Sequence, residues 1–280
     1  MAQLYISDLD GTLLQNDATL SPFARQQLTR LIEADVQITF ATARSVVSAS
    51  QILQGVPFRL PAICVNGTYI SDFHTHKHLI LNTIPDTITS GIFECIRSHN
   101  LLPFITTFNG IKECLNYSHT ENEGMDWYVQ DRIRAQDHRL QQVNNLENAL
   151  SERVIAFTTI HKLPQLQVLE RNLNNQFGSQ IEIYFFENAY SPEWYWLCIH
   201  DKNGTKARGI QAFLQHFDFA LEDVTVFGDN LNDLPMFELV PRAIAVENAI
   251  PELKSLSAQI IGPNTADSVV RFILRENGLD

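Results

Sequence analysis

Short apolar runs that stop abruptly at polar residues recur at both ends of the chain. Leu4-Tyr5-Ile6 ends at Asp8, Val36 to Ala41 ends in Thr42-Ala43-Arg44, and Ala62 to Val65 closes at the turn Asn66-Gly67. Toward the other end, Val224 to Phe227 runs into Gly228-Asp229, and Ala243 to Val246 forms one more run. Each reads as a strand. A helix is predicted from Ser21, with Pro22 at its first position and Phe23, Leu28, Leu31 and Ile32 on one face. Another starts at Thr205 and runs through Ile210, Phe213 and Leu214. Strands alternating with helices predict βαβ units and a parallel sheet, whose chemistry gathers at the carboxyl ends of the strands.

Between these two stretches the texture changes. From about Asn82 to Trp196 the chain carries long polar stretches that read as helical, such as Asp131 to Leu150, and aromatic strands such as Ile181 to Glu187. An α+β domain inserted into an α/β core is the expectation, with the core in two parts, residues 1–82 and 198–280, and the insert at 83–197.

Polar groups follow the predicted strands of the core. Asp8 and Asp10 are two carboxylates two residues apart, a placement that is repulsive unless a cation or a proton lies between them. Thr42-Ala43-Arg44 offers a hydroxyl and backbone N–H groups to an anion. Lys206 stands one residue inside a helix capped by Thr205, where a cation opposes the helix dipole and calls for an anion nearby. Gly228-Asp229-Asn230-Leu231-Asn232-Asp233 is an acidic loop after a strand. Together they read as a carboxylate-rich Mg²⁺ site facing a Thr/Lys phosphate site.

Composition narrows the class. Of 280 residues, 45% are hydrophobic and 19% charged, as in a soluble globular chain with a substantial core. No run approaches the ~18 apolar residues of a membrane span, and Leu4-Tyr5-Ile6 reads as a strand rather than a leader, so a cytoplasmic location is expected. A formal net charge of −12 disfavours a nucleic-acid partner but not a small phosphorylated metabolite, since one metal ion and local cations reverse the sign inside a pocket. Cys64, Cys95, Cys114 and Cys198 form no CxxC pair and read as four free thiols. Either a monomer or a dimer is compatible with the pattern.

The run Asp8-Leu9-Asp10-Gly11-Thr12-Leu13-Leu14 resembles the first motif of the haloacid dehalogenase superfamily, and within it the Cof-type phosphatases. Thr42-Ala43-Arg44 resembles the second motif, usually Thr-Gly-Arg. Lys206 stands where the third has its lysine, Gly228 to Asp233 matches the fourth, and Asn66-Gly67-Thr68 resembles the Asn-Gly-Ala turn of the Cof-type branch. The resemblance implies a Rossmann-like, doubly wound parallel-sheet core with an α+β cap, inserted between the second and third motifs, that closes over the site and selects the substrate. It implies a Mg²⁺-dependent phosphohydrolase of small phosphate monoesters, sugar phosphates among them. Asp8 is then the nucleophile that forms an aspartyl-phosphate and Asp10 the general acid and base. Metal ligands would be a carboxylate oxygen of Asp8, the backbone carbonyl of Asp10 and the carboxylate of Asp229, with Asp233 in support. Thr42, Arg44, Lys206 and Asn232 would bind the phosphate. A phosphomutase that returns the phosphoryl group to its substrate, and a non-catalytic phosphometabolite-binding regulator, are the alternatives.

Three places depart from the family pattern: Ala43 replaces the usual glycine, Glu247-Asn248-Ala249 replaces Gly-Asn-Ala, and the spacer Asp201 to Thr205 before Lys206 carries an Asn-Gly turn and two charges. In the insert, Tyr190, Trp194 and Trp196 are candidate stacking residues whose blander reading is core packing. Glu121, Glu123 and Asp126 read as an acidic surface loop. His74, His76 and His78 alternate as on an exposed edge strand, with a metal site as the less favoured reading.

Overall fold

The computed structural model describes residues 3–187 and 192–279. The chain divides into two compact units, Met1–Leu81 joined by Gly204–Asp280, and Asn82–Asn203. In chain order the first unit begins with β1 (Leu4–Ser7), α1 (Pro22–Glu33), β2 (Gln37–Phe40) and α2 (Val46–Ile52), then β3 (Ala62–Cys64), β4 (Tyr69–Ser71) and β5 (His78–Leu81). The insert follows with α3 (Asp86–Ser98), β6 (Pro103–Phe108), β7 (Glu113–Tyr117), α4 (Glu123–Arg134) and β8 (Leu140–Gln142). It continues with β9 (Arg153–His161), α5 (Leu163–Phe177), β10 (Ile181–Glu187) and β11 (Tyr195–Asp201). The first unit resumes with α6 (Lys206–Phe217), β12 (Val224–Gly228), α7 (Leu234–Leu239), β13 (Arg242–Ala245), α8 (Pro251–Leu256), β14 (Gln259–Ile260) and α9 (Ser268–Glu276).

The first unit is built on a five-stranded parallel sheet in the order β14-β13-β12-β1-β2. Every residue of β1 and of β12 is buried, which explains why both read as continuous apolar runs rather than alternating ones. From β1 the chain moves outward to β2 on one side, while β12 lies on the other side of β1. The crevice past the carboxyl ends of β1 and β12 is therefore the switch point of the sheet, where ligands of such folds bind. Helix α1 begins where expected: Ser21 Oγ accepts from Ala24 N at 2.9 Å and Pro22 fixes the first φ. Its buried Leu28, Leu31 and Ile32 each contribute about 1.5–3 kcal/mol of transfer free energy.

The insert is a six-stranded sheet, order β10-β11-β9-β6-β7-β8, antiparallel except where β8 joins β7. Helices α3 and α5 pack Ile88, Ile92, Ile96, Leu166, Leu169 and Leu173 against Ile105, Phe157, Leu197 and Ile199. A second cluster joins Met125 and Val129 of α4 to Phe104, Leu115 and Trp196.

Four expectations are corrected here. Residues 198–201 belong to β11, paired along its length with β9 and β10, so the second core segment begins at Gly204 rather than at 198. Asp131 to Leu150 is not one helix: α4 stops at Arg134, Gln136 takes a positive φ, and Leu140 pairs with Leu115 on the sheet edge. Its polar residues tolerate a helix, but pairing with β7 decides the outcome. The three histidines do not share a face. His76 has a positive φ in the Asp72–Lys77 turn, His74 Nε2 bonds the Phe58 carbonyl at 2.7 Å, and His78 Nδ1 bonds Ser71 Oγ at 2.6 Å. Glu123 and Asp126 form no surface loop but stand in the first turn of α4, where acids suit the helix dipole.

Trp196 is buried in the insert's second cluster, as the packing reading has it, and Trp194 packs on that cluster with the Lys162 ammonium 4.0 Å from its ring centre. Tyr190 lies outside the described residues. All four cysteines are free thiols. Among the described residues no helix is long and apolar enough to cross a membrane.

Candidate active site

Asp8 directly follows β1, and its N–H donates to the Phe227 carbonyl of β12 at 2.9 Å. This bond ties the acid to the crevice between the two strands. Lys206, the first residue of α6, is fully buried and donates to Asp8 Oδ1 at 2.5 Å and to Asp233 Oδ1 at 2.6 Å. The opposite oxygen of Asp233 accepts from the N–H groups of Asp229 and Asn230 at 2.9 and 3.0 Å. Both Asp233 oxygens are thus engaged in holding the lysine and the loop after β12. Asp229 Oδ1 accepts from Thr12 Oγ1 at 2.8 Å.

The lysine reaches this position because α6 is packed tightly on the Asn66-Gly67 turn. A Cβ on Gly67 would stand 2.1 Å from the Thr205 carbonyl oxygen, and its φ of +91° lies in the left-handed region. No other residue fits there without displacing the start of α6. Thr205 then caps the helix, its Oγ1 accepting from Arg208 N at 3.2 Å.

Asp8, Asp229 and Asp233 each offer a carboxylate oxygen within 4.8 Å of the others. Three carboxylates against the single ammonium of Lys206 leave two negative charges in excess inside a buried site. The titration behaviour follows. Burial, then the charges of Asp233 and Asp229, push the Asp8 carboxyl well up, with Lys206 opposing. Burial and the Asp233 charge push Asp229 up to about 6. Burial alone would lower the Lys206 ammonium, but Asp233 and Asp8 outweigh it and hold it above the ordinary lysine range. An all-oxygen set with two charges to neutralise suits a hard divalent cation such as Mg²⁺. Among the described residues no histidine or cysteine joins the cluster.

The remaining predicted positions divide. Thr42 is buried and its Oγ1 accepts from Arg44 N at 3.1 Å. Asn232 donates to Asn66 Oδ1 at 3.0 Å, which leans the acidic loop on the Asn66-Gly67 turn. Asp10 and Arg44 hold each other: Nε donates to Oδ2 at 2.7 Å and Nη2 to Oδ1 at 2.6 Å. Both oxygens of the Asp10 carboxylate are thereby engaged by arginine. Arg44, expected on the phosphate, instead has its fork on Asp10.

The sequence reading missed several supports. Thr12 orients Asp229, Asn66 receives Asn232, and Ser48 Oγ accepts from Arg44 Nη1 at 3.3 Å. Asn248 donates to the Gly11 carbonyl at 2.7 Å and accepts from Asn264 N at 3.0 Å, bracing the turn that carries Asp8 and Asp10. Thr12 stands inside the first motif, and Asn66 and Asn248 stand in the two turns compared above with the family's Asn-Gly-Ala and Gly-Asn-Ala, which were the signals that could have found them.

The haloacid dehalogenase-like hydrolase family matches residues 5–273, nearly the whole chain. The chain belongs to that family. This haloacid dehalogenase-like hydrolase is 29% identical over 278 residues to the pyridoxal phosphate phosphatase YbhA of Escherichia coli, covering 95% of each chain. It is 24% identical over 272 residues to the 5-amino-6-(5-phospho-D-ribitylamino)uracil phosphatase YitU of Bacillus subtilis, covering 95% of this chain and 94% of that one. Its fold is that of a haloacid dehalogenase-like hydrolase from Bacteroides thetaiotaomicron, with a TM-score of 0.81, 22% identity, and coverage of 99% and 100%. The chain is an enzyme of a phosphoryl-transfer family whose full-length relatives are named as phosphatases.

Proposed function

We propose that this enzyme is a Mg²⁺-dependent phosphohydrolase of small phosphate monoesters, with Asp8 as nucleophile and Asp10 as general acid and base. One observation carries the reading: Asp8 is a buried carboxylate at the switch point, bonded to Lys206 and facing two further acids within 4.8 Å. A carboxylate placed there purely for stability would be costly, since an apolar residue of the same size needs neither a lysine nor a cation.

Mg²⁺ would be held by Asp8, the Asp10 carbonyl and Asp229, and when bound it supplies the positive charge that lets a phosphate dianion approach a carboxylate. Lys206 fixes which Asp8 oxygen is engaged and leaves the other for in-line attack on phosphorus. Breaking the P–O ester bond leaves an aspartyl-phosphate on Asp8 and an alkoxide that takes its proton from Asp10. Asp10 then takes a proton from the water that attacks the acyl phosphate, releasing inorganic phosphate and restoring Asp8. Thr42 and Asn232 are assigned as donors to the transferring oxygens. Asp233 acts through Lys206 and the loop backbone. The insert, residues 82–203, is the unit we assign to substrate selection, and we place the enzyme in the cytoplasm.

The relatives' names put pyridoxal phosphate and a phosphoribitylaminouracil beside hexose phosphates in the first panel to test. Phosphate release should need Mg²⁺, stop with EDTA, and be absent in Asp8→Asn, which keeps the shape but not the nucleophile. An Asp8→Asn enzyme with full activity would refute the assignment. Conversion of a sugar phosphate to its isomer without free phosphate would favour the mutase.

A further inference from the structure

We infer that Arg44 is a positioning residue for Asp10 rather than a ligand of the phosphate, an inference that rests on the phosphohydrolase reading above. Asp10 sits on the turn after β1 with its side chain about half exposed. A carboxylate in that setting has two torsions to settle, and proton delivery to a leaving oxygen requires a heavy-atom distance of about 2.6–3.2 Å. Arg44 removes the freedom by gripping both oxygens with two parallel bonds of 2.7 and 2.6 Å. Only the planar guanidinium fork provides that geometry; a lysine ammonium does not.

The arginine is itself anchored. Its third nitrogen, Nη1, reaches Ser48 Oγ on α2 at 3.3 Å. Its N–H donates to Thr42 Oγ1 at 3.1 Å, and its carbonyl accepts from Val65 N at 2.9 Å. The backbone at Arg44 is thus pinned between the segments after β2 and β3, and the side chain is pinned at its tip. By contrast, the surface pair Arg59–Asp35, with side chains 56% and 80% exposed, has one contact and no such support. An arginine reserved for the phosphate would keep its fork toward the Asp8–Asp229–Asp233 cluster, whereas this one directs three nitrogens to Asp10 and Ser48.

The consequence is specific to the leaving group. An alkoxide needs the Asp10 proton to depart, whereas p-nitrophenolate departs without it. In single turnovers with enzyme in excess, Arg44→Lys should therefore slow release of the alcohol from an alkyl phosphate by roughly 10²-fold and release of p-nitrophenolate from p-nitrophenyl phosphate by less than about 5-fold, with the concentration for half-maximal rate nearly unchanged for both. This reads the first step alone, before Asp10 serves as base for either substrate. Ser48→Ala, which loosens the arginine without touching Asp10, should show the same selectivity at smaller amplitude. In an Asp10→Ala background, Arg44→Lys should cost nothing further, because its route of action is already gone.

Equal slowing of single-turnover release from both substrates, weaker binding of both, or losses that multiply with Asp10→Ala would overturn the inference and return Arg44 to the phosphate. A wild-type enzyme that hydrolyses neither ester would overturn the phosphohydrolase reading itself, and this inference with it.

Discussion

Replacing Lys206 by methionine keeps the length of the side chain and removes its charge from between two buried acids. Lys206 Nζ is 2.5 Å from Asp8 Oδ1 and 2.6 Å from Asp233 Oδ1, so the two oxygens are no more than about 5 Å apart. At an effective dielectric of about 20, two unit charges at that separation repel by about 3 kcal/mol. That figure agrees with the 3–5 kcal/mol typical of breaking a buried ion pair from one side. The cost falls where both acids are ionised. Burial and the Asp233 and Asp229 charges already hold the Asp8 carboxyl well up, and removing the ammonium that opposes them raises it further, so the folded state holds a proton that the unfolded state releases. The destabilisation therefore grows as pH rises and shrinks as pH falls toward the range where one acid is protonated.

Urea unfolding followed by far-UV circular dichroism, in EDTA, measures this. At pH 7.5 Lys206→Met should lose about 3 kcal/mol relative to wild type, and at pH 5 clearly less. Mg²⁺ should restore part of the loss at pH 7.5, since a cation takes over some of the neutralisation. Phosphatase activity should fall by at least about 10³-fold under all conditions, because the charge on the transferring group is no longer balanced. A variant within about 1 kcal/mol of wild type at pH 7.5 in EDTA, with no pH trend, would refute the argument that Lys206 is held by charge.

Two further predictions concern the turn and the insert. A Cβ on Gly11 would stand 2.4 Å from Asp229 Oδ2, and its φ is +73°, so Gly11→Ala should push Asp229 aside. The Mg²⁺ concentration giving half-maximal activity should then rise by roughly 10-fold or more, and an unchanged value would separate Asp229 from the metal. His200 in β11 is buried, and burial lowers its pKa to about 4 from an ordinary 6.5, so it is neutral in the fold and protonates on unfolding. Its contribution is intact above pH 6.5 and lost as pH falls from 6.5 to 4, a loss of about 3 kcal/mol that His200→Gln should abolish. All three tryptophans lie in the insert, so a fluorescence-monitored urea series from pH 7 to 4 reads this directly, and parallel slopes for the two proteins would contradict it.

The parallel core was legible because its strands are buried on both faces and each stops at a polar residue, as Ile6 to Asp8 and Phe227 to Asp229 do. A chain that invests carboxylates at two strand ends announces the crevice between them. What could not be read is partnership over distance. The same arginine could serve a phosphate or an aspartate, and only the folded turn after β1 puts Asp10 under the Arg44 fork. Asn66 meets Asn232, and Asn248 meets Gly11, across more than 160 residues, and a single asparagine carries no periodicity to mark it. In the insert, β8 was hidden because an edge strand of three residues, none of them buried, has no apolar pattern to show.

The departures from the family pattern at Ala43 and Glu247 make physical sense on the same terms. Neither Ala43 nor Glu247 has a left-handed backbone, and both side chains are exposed, so nothing in either turn demands a glycine. Glu247 makes its structural contact through its backbone N–H, which reaches the Gly262 carbonyl, and the side chain that braces the turn carrying Asp8 and Asp10 belongs to the next residue, Asn248. Gly11 and Gly67 are different: both have positive φ, and a Cβ on either would collide with Asp229 or with the start of α6. Glycine is retained where its absence would move Asp229 or Lys206, the two groups on which the charge balance around Asp8 depends. It is replaced where only the backbone is used, so the departures at 43 and 247 leave that balance untouched.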